Sequence, residues 1–283
     1  MLSTFVIGLR EGLEAALIVG IIAGFLANRG RRDALRQVWL GVGAAVVICL
    51  VVGVVLEIVT AELPQAAQEG LETVIGLLAV AMVTYMIVWM RKHARGMKAE
   101  LESAAASALV RGSTGALVVM AFLAVLREGF ETVVFLLAAF QASTSPLLAG
   151  FGALIGVLVA VALGYGIYRG GVKLNMARFF KVTGAVLVVV AAGLLMTAAH
   201  TAHEAGWLTI GQERALDLSW LVRPGTPISS LITGMLGIQP FPTVVEVVVW
   251  VVYAIPLLAY VLWPTGGSAR RPAARTTVAT AGH

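Results

Sequence analysis

Two short segments hold the residue types that bind a hard cation. Arg10-Glu11-Gly12-Leu13-Glu14 and Arg127-Glu128-Gly129-Phe130-Glu131 share the pattern Arg-Glu-x-x-Glu. On a helix the Arg and the second Glu are i,i+4 neighbours and the two Glu are i,i+3, so the three groups fall within about a 100° arc of one face. Four carboxylates, Glu11, Glu14, Glu128 and Glu131, face two guanidiniums. A purely structural ion-pair network favours balance; an unbalanced cage of oxygen ligands suits a hard metal ion. Arg10 and Arg127 then act as supporting ion pairs that hold the carboxylates while the site is empty. A Glu can also carry a proton, which makes a relay role open to the same residues.

The elements that must position these groups are long apolar runs. Of the 283 residues 59% are hydrophobic and only 12% charged, with a mean hydropathy of +0.94, far too apolar for a soluble domain of this size. Runs long enough to span a bilayer extend over Leu2 to Ala27, Val38 to Thr60, Leu71 to Met90, Gly115 to Phe140, Leu147 to Tyr168, Phe179 to His200 and Val244 to Trp263. They lack the period-2 alternation of a membrane barrel, so the fold expected is all-α, a polytopic membrane protein of seven transmembrane helices. The first run carries Arg10, Glu11 and Glu14 and reads as the first mature helix, not a cleavable signal. A charge at a helix centre costs about 2.5–3.5 kcal/mol on insertion scales, so placing six of them there argues for a purpose. The single cysteine, Cys49, leaves no intramolecular disulfide or thiolate cluster.

The basic residues explain the pI near 9.7 without nucleic acid. Arg29, Arg31, Arg32 and Arg36 follow the first run, and Arg91, Lys92, Arg95, Lys98 and Arg111 follow the third. Arg169, Lys173 and Arg178 lie between the fifth and sixth, Lys181 at the start of the sixth, and Arg270, Arg271 and Arg275 in the tail. Connections on the opposite side are poor in Lys and Arg, which puts the N-terminus outside and the C-terminus inside. A permease domain is expected over 1–264, with a disordered cytoplasmic tail over 265–283. Met97 to Val110 reads as a helical cytosolic segment, and the apolar run Ile228 to Ile238 as a stretch lying in the outer interface.

The matching segments in runs one and four mark an internal repeat of three helices, about 1–95 and 113–205, with helix seven, about 243–263, added. Under this orientation the repeat is inverted, an arrangement that in transporters puts the substrate site at the repeat interface. At about 1.5 Å per residue, both segments lie roughly 12–21 Å below the outer surface, so they can meet. Gly8/Gly12, Gly20/Gly24 and Gly152/Gly156 have the spacing of close helix contacts. Near the outer helix ends, Glu69, Glu72, His200, His203, Glu204 and Glu246 could form a cation-collecting vestibule, and Glu57 and Glu62 either join it or are solvated helix-end residues.

The paired REGLE and REGFE segments, Gln68 to Glu72, Trp89 to Lys92, the LLAAFQ segment and His203 to Gly206 together resemble the oxidase-dependent iron transporter (high-affinity iron permease) family. The resemblance covers nearly the whole chain. It implies iron translocation by Glu11, Glu14, Glu128 and Glu131, iron as cargo with no permanently bound cofactor, and a multi-pass location in a bacterial cytoplasmic (inner) membrane. It also implies a periplasmic or extracellular iron-binding protein and a haem peroxidase as partners; a homo-oligomer is compatible with it. No Gly-x-x-x-x-Gly-Lys-Ser/Thr loop occurs, and a transporter is expected, not an enzyme. The rivals are a permease for another metal such as lead or manganese, and a carboxylate di-iron membrane redox protein. Against the second, the first five runs contain no His. A purely structural or sensory protein has no obvious use for a buried site with excess negative charge.

Overall fold

The computed structural model describes residues 1–28, 30–93, 114–143, 145–169, 175–222, 226, 229, 232, 233 and 236–263. These residues form seven long helices: α1 (Leu2–Asn28), α2 (Arg32–Ala61), α3 (Gln65–His93), α4 (Thr114–Gln141), α5 (Pro146–Tyr168), α6 (Met176–Glu204) and α7 (Val244–Leu262). Among them there is no strand, only an isolated antiparallel bridge between Arg214 and Thr243. The expected cytosolic helix Met97 to Val110 and the tail 265–283 lie outside the described residues.

Five helices, α2, α3, α5, α6 and α7, are long and apolar enough to cross a membrane. The other two, α1 and α4, have 27 and 28 residues, about 40 Å at 1.5 Å per residue, and differ in carrying the charged segments. Trp39, Leu40, Leu50 and Val54 on α2 and Leu147, Leu154 and Leu158 on α5 are exposed, an apolar surface that only lipid or protein can cover. The described residues are helical in every long element, and the five long apolar helices among them are those of a multi-pass membrane protein.

Local chemistry fixes the starts of the later helices. Pro146 occupies the first turn of α5, where its missing N–H costs nothing. Asn175 accepts from the Arg178 backbone N–H at 3.1 Å to start α6. Thr243 and Glu246 form a reciprocal capping box at α7.

The most extensive contact joins α1 to α5, followed by α3 to α6 and α2 to α4, with α7 against α6 and α4 against α1. Small residues make the α1/α5 contact. A Cβ at Gly8 would come within 2.6 Å of the Ala153 carbonyl oxygen, and one at Gly12 within 2.9 Å of the Ala160 methyl. Gly156 in turn abuts the Phe5 backbone. The paired positions rise together along both helices, so α1 and α5 run parallel. The α2/α4 pair is also parallel, with Gly41 beside Val118, Cys49 against Gly129 and Gly53 beside Val133. Gly20 departs from the spacing-based expectation: a Cβ there meets nothing within 4 Å.

Between α1 and α4 the order reverses. Ile22 and Leu26 share a core with Leu117 and Ala121, whereas Ile7 joins Phe135 and Ala138 in the larger core that α3 and α6 complete. The two motif helices are therefore antiparallel.

The segment between α6 and α7 differs from expectation. Leu236 and Gly237 pack against the middle of α6. A Cβ on Gly193, near the middle of α6, would come within 2.7 Å of the Leu236 carbonyl carbon and 2.8 Å of the Gly237 nitrogen. The backbone finds protein partners there: the Trp250 indole donates to the Leu236 carbonyl at 3.1 Å and the Thr233 hydroxyl to the Ile238 carbonyl at 3.1 Å. Irregular backbone at membrane depth is tolerated only when satisfied in this way. Gly237 has φ +68°, a conformation glycine adopts without a Cβ clash, and Gly193 gives it room.

Candidate metal-binding site

Both Arg-Glu-x-x-Glu segments fall in the middle of their helices, and the antiparallel crossing brings them together. Glu11, Glu128 and Glu131 each offer a carboxylate oxygen, and these oxygens all lie within 4.8 Å of one another. Glu14, one turn along α1, is held by Arg10, whose Nη2 lies 3.0 Å from its Oε1. Arg10 Nη1 donates to Glu11 Oε1 at 2.7 Å. On α4, Arg127 Nε donates to Glu131 Oε1 at 3.0 Å and lies 4.0 Å from Glu128 Oε1.

The two halves differ in burial although their motifs match. Arg10 and Glu11 are each 1% exposed, while the Arg127 side chain is 59% exposed. The Arg10 guanidinium also contacts Met86 Sδ on α3 and lies 5.8 Å from the Phe180 ring centroid on α6. Nothing in the sequence pattern singles out Met86 or Phe180, since both sit in ordinary apolar runs.

The buried cluster is not fully satisfied. Glu11 Oε2, Glu14 Oε1 and Arg10 Nε have no hydrogen-bond partner among the described residues. For Glu14 Oε1 the 3.0 Å approach of Nη2 counts as an ion pair without hydrogen-bond geometry. A buried carboxylate oxygen left without a donor is costly, and a hard cation would satisfy it. With four carboxylates and two guanidiniums, the arrangement favours an added positive charge.

The motif glycines let neighbouring helices approach. Gly12 faces Ala160 on α5 and Gly129 faces Cys49 on α2, so each motif helix is gripped directly behind its carboxylates.

Most of the outer residues also converge. His200 on α6 is 2.9 Å from Glu246 Oε1 through Nδ1 and 3.5 Å from Glu204 Oε1 through Nε2. Glu69 on α3 interacts with Glu204, Glu72 and His200, and the Gln68 amide donates to Glu72 at 3.2 Å. Glu246, 2% exposed, uses its second oxygen to accept from the Thr243 backbone N–H at 2.9 Å, so part of its role is to cap α7. His203 does not point into this cluster. Its Nδ1 pairs with the Leu208 carbonyl at 2.8 Å in the turn that ends α6. Glu57 and Glu62 are exposed. A buried hydroxyl pair, Thr73 with Thr201 at 2.7 Å, ties α3 to α6 just below the cluster; threonines in apolar helices gave no distinguishing signal.

Residues 1–268 match the model of the iron permease FTR1 family. The ferrous iron permease EfeU of Escherichia coli O157:H7 is 44% identical over 271 residues, covering 95% of this chain and 98% of that protein. The ferrous iron permease EfeU of Yersinia pseudotuberculosis serotype I is 45% identical over 277 residues, covering 95% and 97%. No solved structure matches the chain. A full-length family match, together with relatives of this identity and coverage, means that the chain belongs to the iron permease FTR1 family.

Proposed function

We propose that this permease carries iron inward across a bacterial cytoplasmic membrane through the α1/α4 crossing, with Glu11, Glu14, Glu128 and Glu131 as successive ligands. The observation that carries this reading is the convergence of Glu11, Glu128 and Glu131 oxygens within 4.8 Å. Glu14 supplies the fourth carboxylate one turn along α1, and Arg10 and Arg127 balance the site while it is empty. The cluster of Glu69, Glu72, His200, Glu204 and Glu246 collects cations at the outer end, with His203 as a helix-end residue beside it. Iron is cargo, delivered by a periplasmic or extracellular iron-binding protein working with a haem peroxidase.

An inverted repeat fits the packing. Exchanging α1, α2 and α3 for α4, α5 and α6 converts the α1/α5 contact into the α4/α2 contact and maps α1/α4 and α3/α6 onto themselves. This supports two oppositely oriented three-helix units with the site on their pseudo-twofold axis and α7 added. With the N-terminus outside, single cysteines at Ser143 or Gln65, in a Cys49→Ser background, react with an impermeant thiol reagent in intact cells, and one at Arg32 does not. The reverse pattern would invert the orientation.

The membrane potential suffices to drive entry: at about 2.3 kcal/mol per charge per 100 mV, a divalent ion gains roughly 4.6 kcal/mol. Purified protein in vesicles should accumulate labelled ferrous iron when an inside-negative potential is imposed, and an excess of iron should compete better than manganese or lead. Equal competition by those metals would favour a general metal permease.

A further inference from the structure

A cavity of about 90 Å³ lies between α3, α6 and α7, at the end of the bundle where α7 terminates. Its walls include Arg10 at the inner end and Arg91, Lys181 and Trp263 towards the helix ends, with Phe180 and Gly184 alongside. Three cationic side chains from three helices line it, and no carboxylate does among the described residues. This is opposite in sign to the carboxylate cluster on the other side of Arg10, and unsuited to holding a cation.

Two further observations point to an anionic ligand. Arg10, 1% exposed, keeps a buried Nε without a hydrogen-bond partner among the described residues, although its Nη groups are engaged by Glu11 and Glu14. A Cβ on Gly184 would meet nothing within 4 Å, so that wall is left open. Arg91 and Lys181 are oriented by the end of α7: Arg91 donates to the Tyr260 and Trp263 carbonyls and Lys181 to the Leu262 carbonyl at 2.9 Å. Neither is used up, since an ammonium has three donors and a guanidinium five. The volume has room for several waters or one small tetrahedral oxyanion.

We propose that this cavity binds a phosphate-type oxyanion, held by Lys181 and Arg91 at its mouth and facing the Arg10 guanidinium at its inner end. Free inorganic phosphate and the phosphate of an anionic phospholipid offer the same chemistry. A ligand here would contact the far edge of the guanidinium that holds Glu11 and Glu14, coupling its presence to the ion pairs of the cation site. The assignment does not depend on which metal is carried.

The test is thermal melting of the full-length, delipidated protein in detergent. Inorganic phosphate is compared with chloride at matched ionic strength and pH, and added phosphatidylglycerol with phosphatidylcholine. A ligand at about ten times its dissociation constant raises the midpoint by roughly 3–6 °C. Protection by phosphate identifies the free ion, and protection by phosphatidylglycerol alone identifies the headgroup. In either case Lys181→Ala and Gly184→Leu, the second of which fills the cavity, should abolish it. Should Gly184→Leu fail to accumulate, Lys181→Ala at its exposed position carries the comparison. No protection by phosphate or phosphatidylglycerol, or protection undiminished in the variants, overturns the proposal.

Discussion

Cells whose only iron permease is the Glu131→Gln form should take up iron at the background rate, while the protein remains folded in the membrane. The amide keeps the shape of the side chain and can still accept a hydrogen bond from Arg127 Nε, now 3.0 Å from Glu131 Oε1. What it removes is one negative charge from the three carboxylates whose oxygens lie within 4.8 Å of one another. Truncating one partner of a buried charge pair in a bound complex costs about 2–5 kcal/mol, which corresponds to roughly 30-fold or more in affinity. Glu14→Gln should behave likewise, because Glu14 supplies the next carboxylate along α1. The check is labelled-iron uptake normalised to the amount of protein in the membrane. Wild-type uptake by either form would remove that residue from the ligand set.

Replacing Arg10 by alanine should instead damage the fold. Glu11 and Glu14 are both buried and both paired to Arg10, at 2.7 and 3.0 Å, and the substitution leaves them without a counter-charge. A loss of about 3–5 kcal/mol lowers the melting midpoint in detergent by roughly 10 °C. Arg127→Ala should cost less, between the about 1 kcal/mol of an exposed pair and the about 3–5 kcal/mol of a buried one, since its side chain is 59% exposed while Glu128 and Glu131 are not. Uptake should fall in both variants, with stability separating them. A normal midpoint for Arg10→Ala would mean that the ion pairs contribute nothing to the fold.

The charged segments were legible because polar residues in an apolar run have few explanations. Their meeting was also foreseeable, since opposite helix directions put the two segments at similar depth. The asymmetry between them was not: Arg10 and Arg127 occupy identical motifs, and only tertiary packing, with Met86 and Phe180 against one and open surface beside the other, makes them differ. Glycine spacing marked Gly8, Gly12, Gly152 and Gly156 as close-contact positions without saying that α1 would meet α5, and the same spacing at Gly20 met open space. Periodicity says that a face is smooth, not what covers it.

The segment after α6 was misplaced for a related reason. Ile228 to Ile238 is too short to span, which suggests an interfacial stretch when read locally. The partners that let Leu236 to Ile238 enter the bundle are Gly193 and Trp250, neither of them a local neighbour. His203 is placed by a similar non-obvious partner. Its spacing from His200 suits shared ligation, yet it lies in the turn that ends the helix, where the Leu208 carbonyl is nearer.

A structure determined with iron bound, using anomalous scattering at the iron edge, tests the metal site most directly. The expected result is a peak between Glu11, Glu128 and Glu131 at coordinating distance from their carboxylates, with the Arg127 to Glu131 contact lengthened as the metal takes over that oxygen. A peak elsewhere in the bundle, with these three carboxylates still engaged only by Arg10 and Arg127, would contradict the assignment and leave the cluster as a structural lock between α1 and α4.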